Sequence, residues 1–157
     1  RNCTAKGNDW KGGGAVVVSG TMTMSGGMIQ NCEAGDNGGA IYVGDGGNTF
    51  TMTGGTILNS KSNAKGGAII VWQNSTVNLE GGSIIGCTAI HGGAIFAAPN
   101  TTVNISNVVI SGCATARSGD ASDGGAIYNN GATINITNST IGENGSATMI
   151  TDLTGWN

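Results

Sequence analysis

The chain has 157 residues, 38% of them hydrophobic and only 10% charged, with a net charge of -3. Its few Lys and Arg are scattered singly, so no basic stripe exists to displace the counterions of a nucleic acid, and no nucleic-acid partner is expected. No run approaches the about 18 apolar residues of a membrane helix, so membrane insertion of this segment is not expected, and 30 glycines against one proline with apolar residues at fixed spacing do not make the composition of a disordered chain.

Residues 1–12 resemble the tail of a repeat. Cys3 precedes Gly13 by about the distance at which Cys113 precedes Gly124, so the natural protein is expected to continue upstream. From Gly13 onward one tetrapeptide keeps returning: Gly13-Gly14-Ala15-Val16, then Gly38-Gly39-Ala40-Ile41, Gly66-Gly67-Ala68-Ile69, Gly92-Gly93-Ala94-Ile95 and Gly124-Gly125-Ala126-Ile127. Copies separated by 25 to 32 residues are the mark of a solenoid, in which each repeat buries its apolar face against the next. A single domain over 1–157 is expected, as a segment of a longer solenoid, with turns starting near 13, 38, 66, 92 and 124.

Each repeat holds three short segments. The first follows the glycine pair. The second alternates polar and apolar residues, as in Thr21-Met22-Thr23-Met24, Thr49-Phe50-Thr51-Met52 and Thr76-Val77-Asn78-Leu79, which is the period of a half-buried strand. The third carries Ile29, Ile57, Ile84, Ile110 and Ile141. No window has a helical period, and glycine at this density would cost a helix about 1 kcal/mol per residue relative to alanine. The expectation is an all-β, right-handed parallel β-helix of about five three-strand turns with partial turns at both ends, stacked about 4.8 Å apart. Four apolar columns would fill it, headed by Val16, Met22, Met24 and Ile29. The column that starts at Gly26 reads Gly, Gly, Gly, Asn, Asn, the residue types that tolerate positive φ, so a left-handed corner is expected there. After Asn144 the register decays, and a partial turn is the expected ending.

Repeated GGAI at turn length resembles the polymorphic membrane protein autotransporters, whose passengers are adhesins, and more broadly the right-handed parallel β-helix surface proteins of bacteria. The similarity covers about residues 13–144. It implies an extracellular or cell-surface location, a non-catalytic adhesin role, and a host surface protein or glycan as partner.

Candidate contact residues come from the alternation on the GGAI strand, which turns Val17, Tyr42, Ile70, Phe96 and Tyr128 away from the core. They are expected to form an exposed apolar and aromatic stripe along the axis, with Trp72 as an accessory contact, and exposed contiguous apolar surface marks contact sites. A second face carries the threonine column Thr21, Thr49, Thr76, Thr102 and Thr133, with Thr23, Thr51, Asn78, Asn104 and Asn135 beside it. That array resembles the surface of β-solenoid ice-binding proteins; it is also what inter-turn hydrogen bonding alone would select. Asn74, Asn100, Asn104 and Asn135 stand in Asn-x-Ser/Thr sequons, weak signals of glycosylation.

Other groups suggest less chemistry. Cys3, Cys32, Cys87 and Cys113 share one column; neighbours one turn apart are close enough for disulfides, while the alternative is a ladder of buried free thiols. No metal site, cofactor or catalytic residue is expected. His91 shares a variable column with Gly12, Asn37, Lys65 and Asp123, which suggests a solvated corner. A polysaccharide lyase or hydrolase of the pectate-lyase-like type would need clustered carboxylates, and only Asp120 and Asp123, beside Arg117, approach a cluster. Head-to-tail self-association is a further expectation, because both ends stop inside the repeat.

Overall fold

The computed structural model describes residues 2–6, 12–116 and 124–142, together with the backbone of residues 148–156. Every regular element described is a strand, and all pairings but one are parallel, each strand bonding to its equivalent one turn away. The GGAI segments form a five-stranded sheet of Val16–Val18, Ile41–Val43, Ile69–Val71, Ile95–Ala97 and Ile127–Asn129. A threonine ladder of Thr21–Met24, Thr49–Met52, Thr76–Leu79 and Thr102–Ser106 runs beside an isoleucine ladder of Met28–Gln30, Thr56–Leu58, Gly82–Ile85 and Val108–Ser111. The long strand Thr133–Gly142 closes both ladders at one end and joins them into one sheet.

A fourth ladder of two-residue strands follows the cysteine column: Thr4–Ala5, Glu33–Ala34, Lys61–Ser62, Thr88–Ala89 and Ala114–Thr115. The repeat pattern does not reveal it, because two residues are too few to display an alternation. At the amino-terminal end, Thr4–Ala5 pairs with Glu33–Ala34 as a partial turn.

The register stacks like on like. Ile41, Ile69, Ile95 and Ile127 lie in single file, as do Phe50, Val77, Val103 and Ile134. These residues, with Met52, Leu79, Ile105 and Ile136 and with Ile57, Ile84 and Ile110, form the buried interior. Val16, Met22, Ile29 and Ile141, in the first and last turns, are only partly covered, as expected where a solenoid has one neighbour instead of two.

The two glycines of each copy have different reasons. The first, at Gly38, Gly66, Gly92 and Gly124, turns the chain at φ between 52° and 67°, a region hostile to residues with a Cβ. The second, at Gly14, Gly39, Gly67 and Gly93, is held by proximity. A methyl on Gly67 would stand 2.6 Å from both Thr88 N and Thr88 O and overlap the Gly93 carbonyl oxygen of the next turn. Backbone packs on backbone here, and no side chain fits between.

Two corners differ from expectation. In the first three turns the left-handed residue is one position later than the column beginning at Gly26: it is Gly27, Gly55 and Gly82, while Asn107 and Asn138 hold it in the last two. The glycine pair absorbs the turn in its second member; the later turns have one Asn in place of that freedom. The chain end also differs from a partial parallel turn. Thr148–Trp156 returns antiparallel along Thr133–Gly142, pairing Ile136 with Leu153 and Ile141 with Thr148. A returning strand satisfies the open N–H and C=O groups that a last parallel turn would leave exposed.

Candidate functional site

The stripe predicted on the GGAI strand is present as a column, but it is not exposed. Tyr42, Ile70 and Phe96 pair in register and are respectively 2%, 0% and 2% accessible. With Ala98 they form a second apolar cluster, separate from the interior, against which Trp72 and Tyr128 pack. Only Val17, in the first turn, is open, at 49%. The alternation places these residues outside the solenoid wall correctly; what it cannot place is the chain on either side of them. The turn at each first glycine lifts the preceding residue beside the strand, and Asn37, Lys65 and His91 bridge to one another in parallel as a side rail. Asn37 is itself buried. The column read as a solvated corner is therefore one wall of a furrow whose floor is the stripe.

The furrow opens into a cleft of about 180 Å³ lined by Lys65, His91, Phe96, Tyr128 and Asn130. Phe96 and Tyr128 stack with centroids 5.2 Å apart and planes 15° from parallel. Trp72 lies 6.5 Å from Phe96 on the other side, and the His91 ring is 5.5 Å from Tyr128. The Lys65 ammonium reaches across the furrow to 5.2 Å from the Trp72 ring and 5.1 Å from Phe96, within the range of a cation–π attraction. Lys65 makes no ion pair with a described carboxylate. At the far end of the furrow burial, and then the charge of Asp45, raise the Tyr42 phenol above its ordinary value. Lys65, His91 and Asn130 are the members that sequence reasoning missed; the place of Lys65 and His91 before a glycine pair was the available signal, and Asn130, just past the strand Ile127–Asn129, offered none.

The threonine face is in register over five turns, Thr21 to Thr49, Thr76, Thr102 and Thr133. Thr21, Thr23 and Thr133 are exposed, and Thr49, Thr51, Thr76 and Thr102 are partly so. Beside them Asn104 donates from Nδ2 to Asn78 Oδ1 at 2.8 Å, and Asn135 donates to Asn104 Oδ1 at 2.9 Å, so the amides form a ladder of their own.

The four cysteines are free thiols. Their column is a hydrogen-bonded ladder in which serine and cysteine do the same work: Cys32 Sγ, Ser60 Oγ, Cys87 Sγ and Cys113 Sγ each donate to the carbonyl two residues back. Cys32 N donates in turn to Ser60 Oγ, and Cys87 N to Cys113 Sγ. Burial raises the Cys32 thiol above its ordinary value. For Cys87 the hydrogen bond with Cys113, burial, and the charge a Cys113 thiolate would carry all push upward. Among the described residues no group of three or more His, Cys, Asp or Glu is placed so as to hold a metal ion; Arg117, Asp120 and Asp123 lie outside the described residues.

No curated protein and no solved structure gives a match to the chain. A family model, right handed beta helix region, matches residues 1–155. That match spans nearly the whole sequence and agrees with the parallel ladders, so the chain belongs to the right-handed β-helix family.

Proposed function

We propose that the chain is an extracellular, non-catalytic binding scaffold of the adhesin kind, presenting an elongated cell-surface wall to a host protein or glycan. The observation that carries this reading is the aromatic cleft: two stacked rings, a tryptophan, a lysine, an imidazole and an amide converge in a furrow. Phe96 and Tyr128 stand on strands, Lys65 and His91 on the rail, and Trp72 and Asn130 just past strand ends, where their backbone N–H groups donate to Val43 O and Ala97 O. Binding sites are concave surfaces with a few oriented polar groups on an apolar floor, and aromatic anchors held rigid lose little entropy on binding. The buried members of the stripe, Tyr42, Ile70 and Phe96, support the floor; the ligand-facing members are Trp72 and Tyr128 with Lys65, His91 and Asn130. The test is adhesion of labelled protein to host cells and to immobilised glycans, comparing the parent chain with Trp72→Ser/Tyr128→Ser. Loss of adhesion in a folded double variant is expected, and unchanged adhesion would remove the reading.

The in-register threonine column supports a second reading, ice binding through Thr21, Thr23, Thr49, Thr51, Thr76, Thr102 and Thr133. A regular, uncharged hydroxyl and methyl array on a parallel sheet is the feature that favours it. Thermal hysteresis abolished by Thr76→Lys is the expected result, and its absence in the parent chain ends this alternative.

A further inference from the structure

We propose that the cysteine column is a redox site at which a small peroxide closes two disulfides between adjacent turns, Cys3 with Cys32 and Cys87 with Cys113. This goes beyond the scaffold reading and uses none of the cleft residues. Placement is the first argument. The parallel pairs Thr4 with Glu33 and Thr88 with Ala114 set the preceding cysteines opposite each other one turn apart, about 4.8 Å at the strand spacing, inside the Cα range a disulfide accepts. Cys113 Sγ lies 3.4 Å from Cys87 N, and in each pair the two thiols are within hydrogen-bonding reach of each other. Ser60 occupies the turn between the pairs. Cys32 and Cys87 are therefore two turns apart, about 9.6 Å, too far to bridge, so only one connectivity is open.

Chemistry is the second. Each pair joins a more accessible thiol to a sealed one: Cys3 is partly exposed against 2% for Cys32, and Cys113 is 9% accessible against 0% for Cys87. The hydrogen bond from Cys87 above all holds the Cys113 thiol below its ordinary value despite burial, which makes Cys113 the nucleophile. Its thiolate attacks one oxygen of hydrogen peroxide; the O–O bond breaks, and the departing hydroxide takes up the proton lost from the thiol and leaves as water. The sulfur is then a sulfenic acid. Cys87 sulfur attacks it, the S–O bond breaks, and the hydroxyl leaves as water with the Cys87 proton. The two thiols give up two electrons, and one peroxide is reduced to two waters. Cys3 and Cys32 follow the same sequence, with Cys3 attacking.

The third argument is what the column tolerates. Cys87 and Cys113 pack in the apolar interior, where a lasting thiolate would be a buried charge, whereas a disulfide is neutral and occupies the space the two thiols already fill. At the amino-terminal end the bond ties down the partial turn, which is otherwise held by the two-residue strand Thr4–Ala5 and its flanking backbone bonds. A cross-link between turns also removes freedom from the unfolded chain.

The experiment treats the reduced, folded chain with hydrogen peroxide, blocks the remaining thiols in denaturant, and maps the cysteine peptides by mass. Those peptides are read because Met28, 55% exposed, is oxidised as well. The expected result is a loss of about 2 Da per pair, the two hydrogens given up in each closure, with Cys3 linked to Cys32, Cys87 to Cys113, and dithiothreitol reversing both. In Cys87→Ser the reaction stops at Cys113, which the sulfenic-acid trap dimedone labels; in Cys113→Ser the sealed Cys87 stays a thiol. Circular dichroism establishes that both variants are folded, as expected from the serine already present in the column at Ser60. The oxidised parent chain is expected to unfold at a higher urea midpoint than the reduced one. Thiols that stay free until the chain unfolds, failure of either pair to close, a bond from Cys32 to Cys87, dimedone labelling of Cys87 in place of Cys113, or an oxidised chain no more resistant to urea overturns the inference.

Discussion

The Lys65 ammonium lies 5.1 Å from the centre of the Phe96 ring, a residue of the following turn, and covers from one wall of the furrow an aromatic side chain that alternation alone would leave in water. Phe96 is consequently a packing residue. Phe96→Ala is expected to destabilise the chain by about 3–5 kcal/mol, the range for emptying a buried aromatic site. Tyr128→Ser, at the partly open end, should cost clearly less, and urea unfolding of the two variants measures the difference. Equal and small losses would mean that the second cluster contributes no packing.

Gly67 and Gly26 make a matched pair for the glycine code. Gly67→Ala places a methyl 2.6 Å from the Thr88 backbone, with no flexible neighbour able to move aside. Overpacking against backbone should cost about 3 kcal/mol or more. Gly26 has nothing within 4 Å of an added Cβ and no positive φ, so Gly26→Ala should be neutral or stabilise by up to about 1 kcal/mol through the unfolded chain. Denaturation midpoints of both, measured side by side, decide it.

Asn104 is the middle member of the amide ladder. Asn104→Ala removes the donor to Asn78 Oδ1 and the acceptor of Asn135 Nδ2. Two partly buried bonds at about 1 kcal/mol each predict a loss of about 2 kcal/mol. Asn78→Ala, at the end of the described bonds, should lose about half as much, and a reversed order of the two in thermal unfolding would show the ladder carries no stability.

The cysteine ladder predicts a pH dependence. Cys32 and Cys87 have thiols raised above their ordinary value in the folded chain, while Cys113, the hydrogen-bond partner of Cys87, is lowered and offsets part of the Cys87 contribution, so above about pH 8.5 the unfolded chain releases a proton that folded Cys32 above all retains. Stability from these groups is complete below that pH and declines as pH rises through it, by at most about 1.4 kcal/mol per pH unit for each thiol. Urea midpoints between pH 7 and pH 9.5 should therefore fall, and Cys32→Ser/Cys87→Ser should flatten the fall while keeping the fold, since Ser60 already fills an equivalent place. A fall of the same size in the double variant would assign it to other groups.

The order of the chain determined the stacking. Glycine pairs at turn length, a two-residue period through Thr49–Met52 and isoleucines in like positions specify parallel ladders and their register, because a one-residue slip would turn every apolar side chain outward. The same pattern identified which residues share a column, including the four cysteines and the line from Tyr42 to Tyr128. Tertiary structure alone decided what lies over each column. Tyr42 and Phe96 are buried because Lys65 and its neighbours rise beside them, and that depends on the direction in which the chain leaves each positive-φ glycine. Alternation distinguishes the two sides of a strand; whether the far side meets water or another stretch of the same chain is set by the path of the turns, and there the cleft of Lys65, His91 and Tyr128 arises.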